Sequence, residues 1–268
     1  MNLREKKMLE NLKILKNDFS AVGVKAEFEA EGTRTEELLR LLEIVNKSGL
    51  DFALKIGGCE AIRDLIESKL YGCNHVIAPM IESSYGLSKY IHAIDQVYGK
   101  EKNLCKFLFN LETVSCFNNK NEILNTAYKK LSGVVFGRVD YCGSKKKSRD
   151  SINDDSVTSD VITIAKIAKS KKLELVVGGG VSLHAIPALK KIKQTHLTRF
   201  ETRKIVFSST ALNNKNLELG LLRAVEFELD WLKNKQEFYF EIYKEDRTRI
   251  KMLEKRWKSL INLKKIRK

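Results

Sequence analysis

Apolar positions along the chain alternate between two rhythms. Short runs, most of them apolar throughout, read as strands: Val22 to Phe28, Phe52 to Ile56, His75 to Met80, Cys105 to Leu111, Gly133 to Val139, Leu173 to Val177 and Ile205 to Ser208. Between them, leucines and isoleucines recur at helical spacing, as in Glu36 to Val45, Ala61 to Leu70 and Leu87 to Val97. Strands separated by helices imply βαβ crossovers and a parallel sheet. Runs without polar alternation fit strands covered on both faces. With seven strands legible and an eighth expected near the N-terminus, around Asp18 to Val22, the pattern predicts an α/β barrel of the TIM (β/α)8 type.

Two segments depart from that rhythm. Gly143 to Asp160 is rich in Ser, Lys and Asp and reads as a long mobile loop after the fifth strand, at the barrel face where sites form. Leu217 to Lys268 has no proline and no glycine after Gly220. Leu221, Leu222, Val225, Leu229 and Leu232 suggest one apolar stripe, and Ile250, Leu253, Trp257, Leu260 and Ile261 another. The expected organisation is a barrel over residues 1–212, with amphipathic helices over 213–268 that pack on it or on a neighbouring subunit.

Composition narrows the function classes. Of 268 residues, 43% are hydrophobic, enough for a sizeable core. Five widely spaced cysteines without a CxxC pair support neither a disulfide framework nor a zinc knuckle. The charged N-terminus lacks an apolar segment of signal-peptide length, and no run is long enough to span a bilayer. A cytoplasmic protein without membrane insertion is expected. The net charge of +15 is spread along the chain and densest from Lys251 to Lys268. Without interleaved aromatics it reads as solvated helix surface, so nucleic acid ranks last among partners.

Polar groups stand where apolar strands end. Glu112 follows Leu108 to Leu111, and Arg138 and Asp140 follow Val134 to Gly137. Two carboxylates on neighbouring parallel strands can share Mg²⁺ or Mn²⁺, which take oxygen ligands and leave positions for a substrate. The same carboxylates could equally cap helices or pair with lysines. Glu27, Glu29 and Glu31 alternate near the first strand, and Lys55 sits in an apolar run that demands an anion. Glu82 and Ser83 end the third strand. Gly178-Gly179-Gly180 and Ser208-Ser209-Thr210 follow later strands, where backbone amides can hold a carboxylate or phosphate. The four histidines are scattered, and GxxxxGK[ST], GxGxxG and HExxH are absent.

From Lys25 to Asp140 the order of these elements resembles the aldolase and citrate-lyase family of barrels that bind pyruvate- or phosphoenolpyruvate-like 2-oxo acids. The resemblance rests on Glu29-Ala30-Glu31, Leu54-Lys55-Ile56-Gly57-Gly58, Gly72 to Ser83 with its Pro79-Met80, Leu111-Glu112-Thr113 and Phe136 to Asp140. It implies Glu112 and Asp140 as metal ligands for Mg²⁺ or Mn²⁺, which would chelate a 2-oxo acid and stabilise its enolate as a carbon–carbon bond breaks or forms. Lys55 stands where the family usually has a substrate-binding arginine, losing the planar fork but keeping the charge. Glu31-Gly32 stands where the aldolase branch has an acid followed by a catalytic histidine, so that proton shuttle is missing. The citrate-lyase branch's N-terminal arginine motif is not evident.

The expected function is a metal-dependent carbon–carbon lyase or aldolase acting on a small 2-oxo acid. Lys55, Glu29, Glu31 and Arg138 are the expected catalytic residues. Lys55, Glu82, Gly178, Gly179 and Ser208 are expected to bind substrate. The alternative is a non-catalytic barrel that serves as a binding or assembly subunit through its basic C-terminal helices. Apolar stripes on those helices point to a homo-oligomer.

Overall fold

The computed structural model describes residues 1–266; Arg267 and Lys268, the end of the basic tail, lie outside the described residues. Eight strands form one closed barrel in sequence order. They are β1 (Ala21–Glu27), β2 (Asp51–Lys55), β3 (His75–Ala78), β4 (Lys106–Leu111), β5 (Gly133–Gly137), β6 (Glu174–Gly178), β7 (Arg199–Glu201) and β8 (Ile205–Ser208). Helix α1 (Leu3–Phe19) precedes the barrel. The crossovers carry α2 (Thr35–Ser48), α3 (Ile62–Leu70), α4 (Ser84–Tyr98), α5 (Val114–Asn118), α6 (Lys120–Ala127), α7 (Arg138–Ser144), α8 (Asp155–Ser170) and α9 (Ile186–Thr195). The last element is α10 (Leu217–Ile266).

Closure differs from the all-parallel expectation. β1 to β7 run parallel, but β8 is antiparallel to both β7 and β1. The reason is the length of the connection. Only Thr202 to Lys204 separate β7 from β8, whereas a parallel return needs a dozen or more residues. The eighth strand is therefore Arg199–Glu201 and not an N-terminal segment; Asp18 and Phe19 end α1, and Ser20 turns the chain into β1 through a left-handed residue.

Helix α1 starts with a reciprocal cap, Asn2 Oδ1 accepting the Glu5 N–H and Glu5 Oε2 accepting the Asn2 N–H, both at 2.8 Å. Its buried Met8, Leu12, Leu15 and Phe19 recur at helical spacing. Helix α2 repeats the pattern with Leu38, Leu41, Leu42 and Val45. These faces and the outward strand positions form one continuous core between the barrel and its helices.

The segment Gly143 to Asp160 is ordered rather than a mobile loop. It spans the end of α7, a 3₁₀ turn at Arg149–Asn153 and the start of α8. Ile152 is buried, and Asp160 accepts from Tyr141 Oη at 2.9 Å and Lys145 Nζ at 2.7 Å.

In place of two C-terminal helices there is one, of 50 residues. Its first half packs antiparallel on α1, through Arg4 with Asp230, Lys7 with Glu226 and Asp230, and Asn2 with Asn234. Among the described residues no helix is long and apolar enough to cross a membrane.

Candidate active site

Side chains pointing into the barrel stack in layers. Ala53, Ile77, Leu108, Val135 and Val176 make an apolar layer. Toward the C-terminal ends of the parallel strands the inward positions become charged. Lys25 and Glu27 come from β1, Lys55 from β2, Asn110 from β4 with Glu112 just beyond it, and Glu201 from β7. Together with Glu29, Asp140, Arg149, Arg203, Glu228 and the glycines at 178–180, they line a cavity of about 490 Å³.

Lys25 Nζ lies 2.6 Å from Glu201 and 3.1 Å from Glu27, all three buried. Burial pushes its pKa down, but the two carboxylates outweigh that and hold it above the ordinary lysine value. Burial likewise pushes Glu27 up, and Lys25 more than reverses this. Lys55 Nζ sits 3.0 Å from Glu29 Oε2 and 3.7 Å from Glu112 Oε2. Burial pushes the Lys55 pKa down, and Glu112, Glu29 and Glu27 together hold it above the ordinary lysine value.

Glu112 is 1% exposed. Its Oε1 accepts the Met80 N–H at 3.0 Å, and its Oε2 accepts Asn110 Nδ2 at 2.7 Å. Burial raises its pKa above the ordinary value, further helped by Asp140, against the pull of Lys55 and these two donors. Met80 has φ +50°, a left-handed conformation uncommon for a side-chain-bearing residue. That backbone aims its N–H at Glu112. Gly137 leaves room for the same carboxylate, since a Cβ there would lie 2.8 Å from Glu112 Oε2. Asp140, in the first turn of α7, is exposed, and among the described residues its carboxylate has neither an ion pair nor a hydrogen bond.

The model of the HpcH/HpaI aldolase/citrate lyase family matches residues 37–185. The chain belongs to this family. Two solved structures are similar in fold. An HpcH/HpaI aldolase from Desulfitobacterium hafniense DCB-2 is 11% identical with a TM-score of 0.58, covering 80% of this chain and 86% of that one. An HpcH/HpaI aldolase/citrate lyase family protein from Burkholderia cenocepacia J2315 is also 11% identical, with a TM-score of 0.61 and coverage of 87% and 92%. No curated protein matches the chain. Membership in the HpcH/HpaI family supports a carbon–carbon lyase or aldolase activity in general terms.

Within this HpcH/HpaI barrel the cavity gathers Lys55, Glu29, Gly178, Gly179, Glu112 and Asp140. It does not gather Glu31, whose carboxylate is held by Lys204 and, at 3.2 Å, by Arg203. Glu82 is exposed outside it. Arg138 is buried and spends its guanidinium on the chain itself, donating to Gly178 O at 3.1 Å, Gly179 O at 2.9 Å and Asn153 Oδ1 at 2.8 Å. Burial lowers its pKa to about 10, so it remains charged at neutral pH. It braces the glycine turn. Gly179 has φ +79°, and a Cβ there would sit 2.6 Å from the Val139 nitrogen.

Ser208 is at the opposite end of the barrel. Because β8 is antiparallel, its last residue pairs with Arg199, the first of β7, and its N–H donates to Ser20 O. The same reversal puts Arg203, in the β7–β8 turn, at the cavity.

Among the described residues no three His, Cys, Asp or Glu side chains converge as a metal-binding cluster. The oxygens a hard cation could use are those of Glu112 and Asp140, together with Asn110 Oδ1, which is buried without a donor. This all-oxygen set suits Mg²⁺ or Mn²⁺. The charge balance agrees: six carboxylates (Glu27, Glu29, Glu112, Asp140, Glu201, Glu228) line the cavity against four cations (Lys25, Lys55, Arg149, Arg203).

Proposed function

We propose that this chain is a divalent-metal-dependent carbon–carbon lyase or aldolase acting on a small 2-oxo acid of the pyruvate or phosphoenolpyruvate kind. The observation that carries the reading is the meeting of Lys55, Glu29, Asn110, Glu112 and Asp140 in one cavity whose carboxylates outnumber its cations. Glu112, Asp140 and Asn110 Oδ1 are the ligands assigned to Mg²⁺ or Mn²⁺. When bound, the ion supplies Lewis acidity to the carbonyl of the 2-oxo acid.

The chain's own residues do the rest. Lys55 offers an ammonium, freed from Glu29 by small rotations, to the substrate carboxylate. Its single point charge orients that group less rigidly than an arginine fork. Glu29, the carboxylate nearest Lys55, is the candidate for moving the proton at the substrate's third carbon. The Lys25, Glu27 and Glu201 set has its charges committed to one another and fixes the cavity floor. Arg138 holds the glycine turn of residues 178–180 against α7.

Deuterium exchange at C3 of pyruvate, followed by NMR with and without Mg²⁺ or Mn²⁺, tests the reading. Metal-dependent exchange that is lost in Glu112→Gln and weakened in Lys55→Met is expected. If no small 2-oxo acid exchanges and calorimetry finds no metal binding, the enzyme reading fails and an assembly role becomes the better one.

A further inference from the structure

The outer half of α10 serves nothing in the fold of a single chain. Tyr239, which donates to Glu37 Oε1 at 2.7 Å, is its outermost side chain hydrogen-bonded to the barrel among the described residues. From Phe240 to Leu260 every residue is exposed. The ion pairs there, Lys244 with Glu241 and Arg249 with Glu245, stay within the helix. Helices in proteins owe most of their stability to packing of an apolar face, and this one displays such a face to solvent.

The face has a regular period. Tyr243, Ile250, Leu253, Trp257 and Leu260 are each 54 to 63% exposed and fall on the first and fourth positions of successive heptads. The same register runs back through the exposed Leu222, Val225, Leu229 and Leu232. A seven-residue repeat keeps one seam facing a partner helix along its whole length, which is the geometry of a coiled coil.

Charges beside the seam select the partner and its direction. In a parallel, in-register pair, flanking positions five residues apart meet across the interface. That brings Arg249 of one copy to Glu254 of the other, and beyond the barrel no like charges oppose at these flanking positions. An antiparallel pair would gain Arg247 with Glu254 but would set Arg249 and Arg256 against one another, cancelling that gain. We propose that α10 is an assembly helix, through which two copies of this chain join as a parallel, in-register coiled coil built on Tyr243, Ile250, Leu253, Trp257 and Leu260.

Between Tyr243 and Leu260 the polar exception within the seam is Asp246, at a fourth position. Pairing in register brings the two Asp246 carboxylates together. A polar residue there fixes register at a cost in stability. The seam also begins beside the cavity, since Val225 and Glu228 line it, so the second copy approaches the mouth of the candidate active site.

Sedimentation of the full-length chain tests the proposal. The wild type is expected to be a dimer at micromolar concentration, and Leu253→Asp with Trp257→Asp to weaken association at least about tenfold. Barrel melting should stay unchanged, because these side chains touch nothing in it. Asp246→Leu should tighten the dimer. Arg249→Glu should loosen it, and adding Glu254→Arg should restore it. Leu260→Cys should form a disulfide between copies on mild oxidation, as only a parallel in-register pair aligns that position with itself. A monomeric wild type, association indifferent to the seam substitutions, or no cross-link at position 260 would overturn the proposal.

Discussion

Charged side chains cover the apolar layer of the barrel interior at both of its ends, and they are balanced differently. Where the parallel strands begin, Arg199 donates to His75 Nε2 at 2.7 Å and to Glu174, whose other oxygen accepts Lys106 at 2.7 Å. Burial first, then Arg199 and Lys106, push the His75 pKa down to about 3, so the imidazole is neutral and serves as an acceptor. Only about 10 Å³ of space remains beside this set. Where the strands end, the cavity holds about 490 Å³, more carboxylates than cations, and one buried acceptor without a donor, Asn110 Oδ1. Buried acceptors are normally satisfied. The plug end has its own buried group without a partner, Arg199 Nε, so the two ends differ in open space and charge balance: one is closed, the other open with an excess of carboxylates.

Removing charges from the two ends should therefore have unequal consequences. Lys25→Met has the largest expected effect on stability. It strands Glu27 and Glu201 as buried, unpaired carboxylates, and loss of one partner from such a set costs about 3–5 kcal/mol, measurable by urea unfolding at neutral pH.

Glu112→Gln comes next and acts on function. It keeps the shape but removes the negative charge, and metal-dependent exchange should fall about 100-fold or more. Thermal stability at neutral pH should change little, because relief of a buried charge offsets the one hydrogen bond lost where the new amide nitrogen meets the Met80 N–H or Asn110 Nδ2. A parallel loss of folding would shift the assignment from ligand to scaffold.

A third test uses pH. In the wild type the folded-state pKa of Glu27 lies below its ordinary value. Its contribution to stability is thus present above the ordinary value of 4.5 and lost as pH falls through the depressed one. In Lys25→Met the carboxylate is buried without its partner, its pKa rises, and the slope contributed by this group reverses. Unfolding free energies across the acid range, compared between the two proteins, would show whether the sign changes.

The smallest effect belongs to the plug. Lys106 is half exposed, and Lys106→Ala removes one surface ion pair while Glu174 keeps Arg199. The cost should stay below about 1 kcal/mol, with exchange activity unchanged.

Much of this barrel was readable from the sequence. The six largely apolar runs that became β1 to β6 were legible because both of their faces are covered and charge enters mainly at the inward positions near their ends. Arg199-Phe200-Glu201 did not, since two of its three side chains are charged and point inward, leaving Phe200 as the only apolar cue. Missing it displaced the eighth strand to the N-terminus and left the reversal of β8 unseen. That one error carried Ser208 to the wrong end and hid Arg203. The polar run after α7 concealed the stripe of Val157, Val161 and Ile164 that opens α8. In the site, Glu112, Asp140, Lys55 and Glu29 were visible as polar residues at strand ends. Lys25 and Asn110 were harder to find, although each lies two residues before an acid, on the same inward parity as Glu27 and Glu112.

The β7–β8 turn has a mechanical consequence. Six βα connections, one after each of β1 to β6, rim most of the cavity mouth and can lengthen, shift or close over a substrate. Between β7 and β8 the rim is a three-residue reversal, pinned by the Thr202 N–H donating to Ile205 O at 2.9 Å and the Ile205 N–H donating to Thr202 Oγ1 at 3.0 Å. Arg203 is carried on that pinned edge, so its backbone cannot follow a closing lid. Any closure over this mouth must swing toward Arg203, which makes the hairpin the fixed jaw of the site.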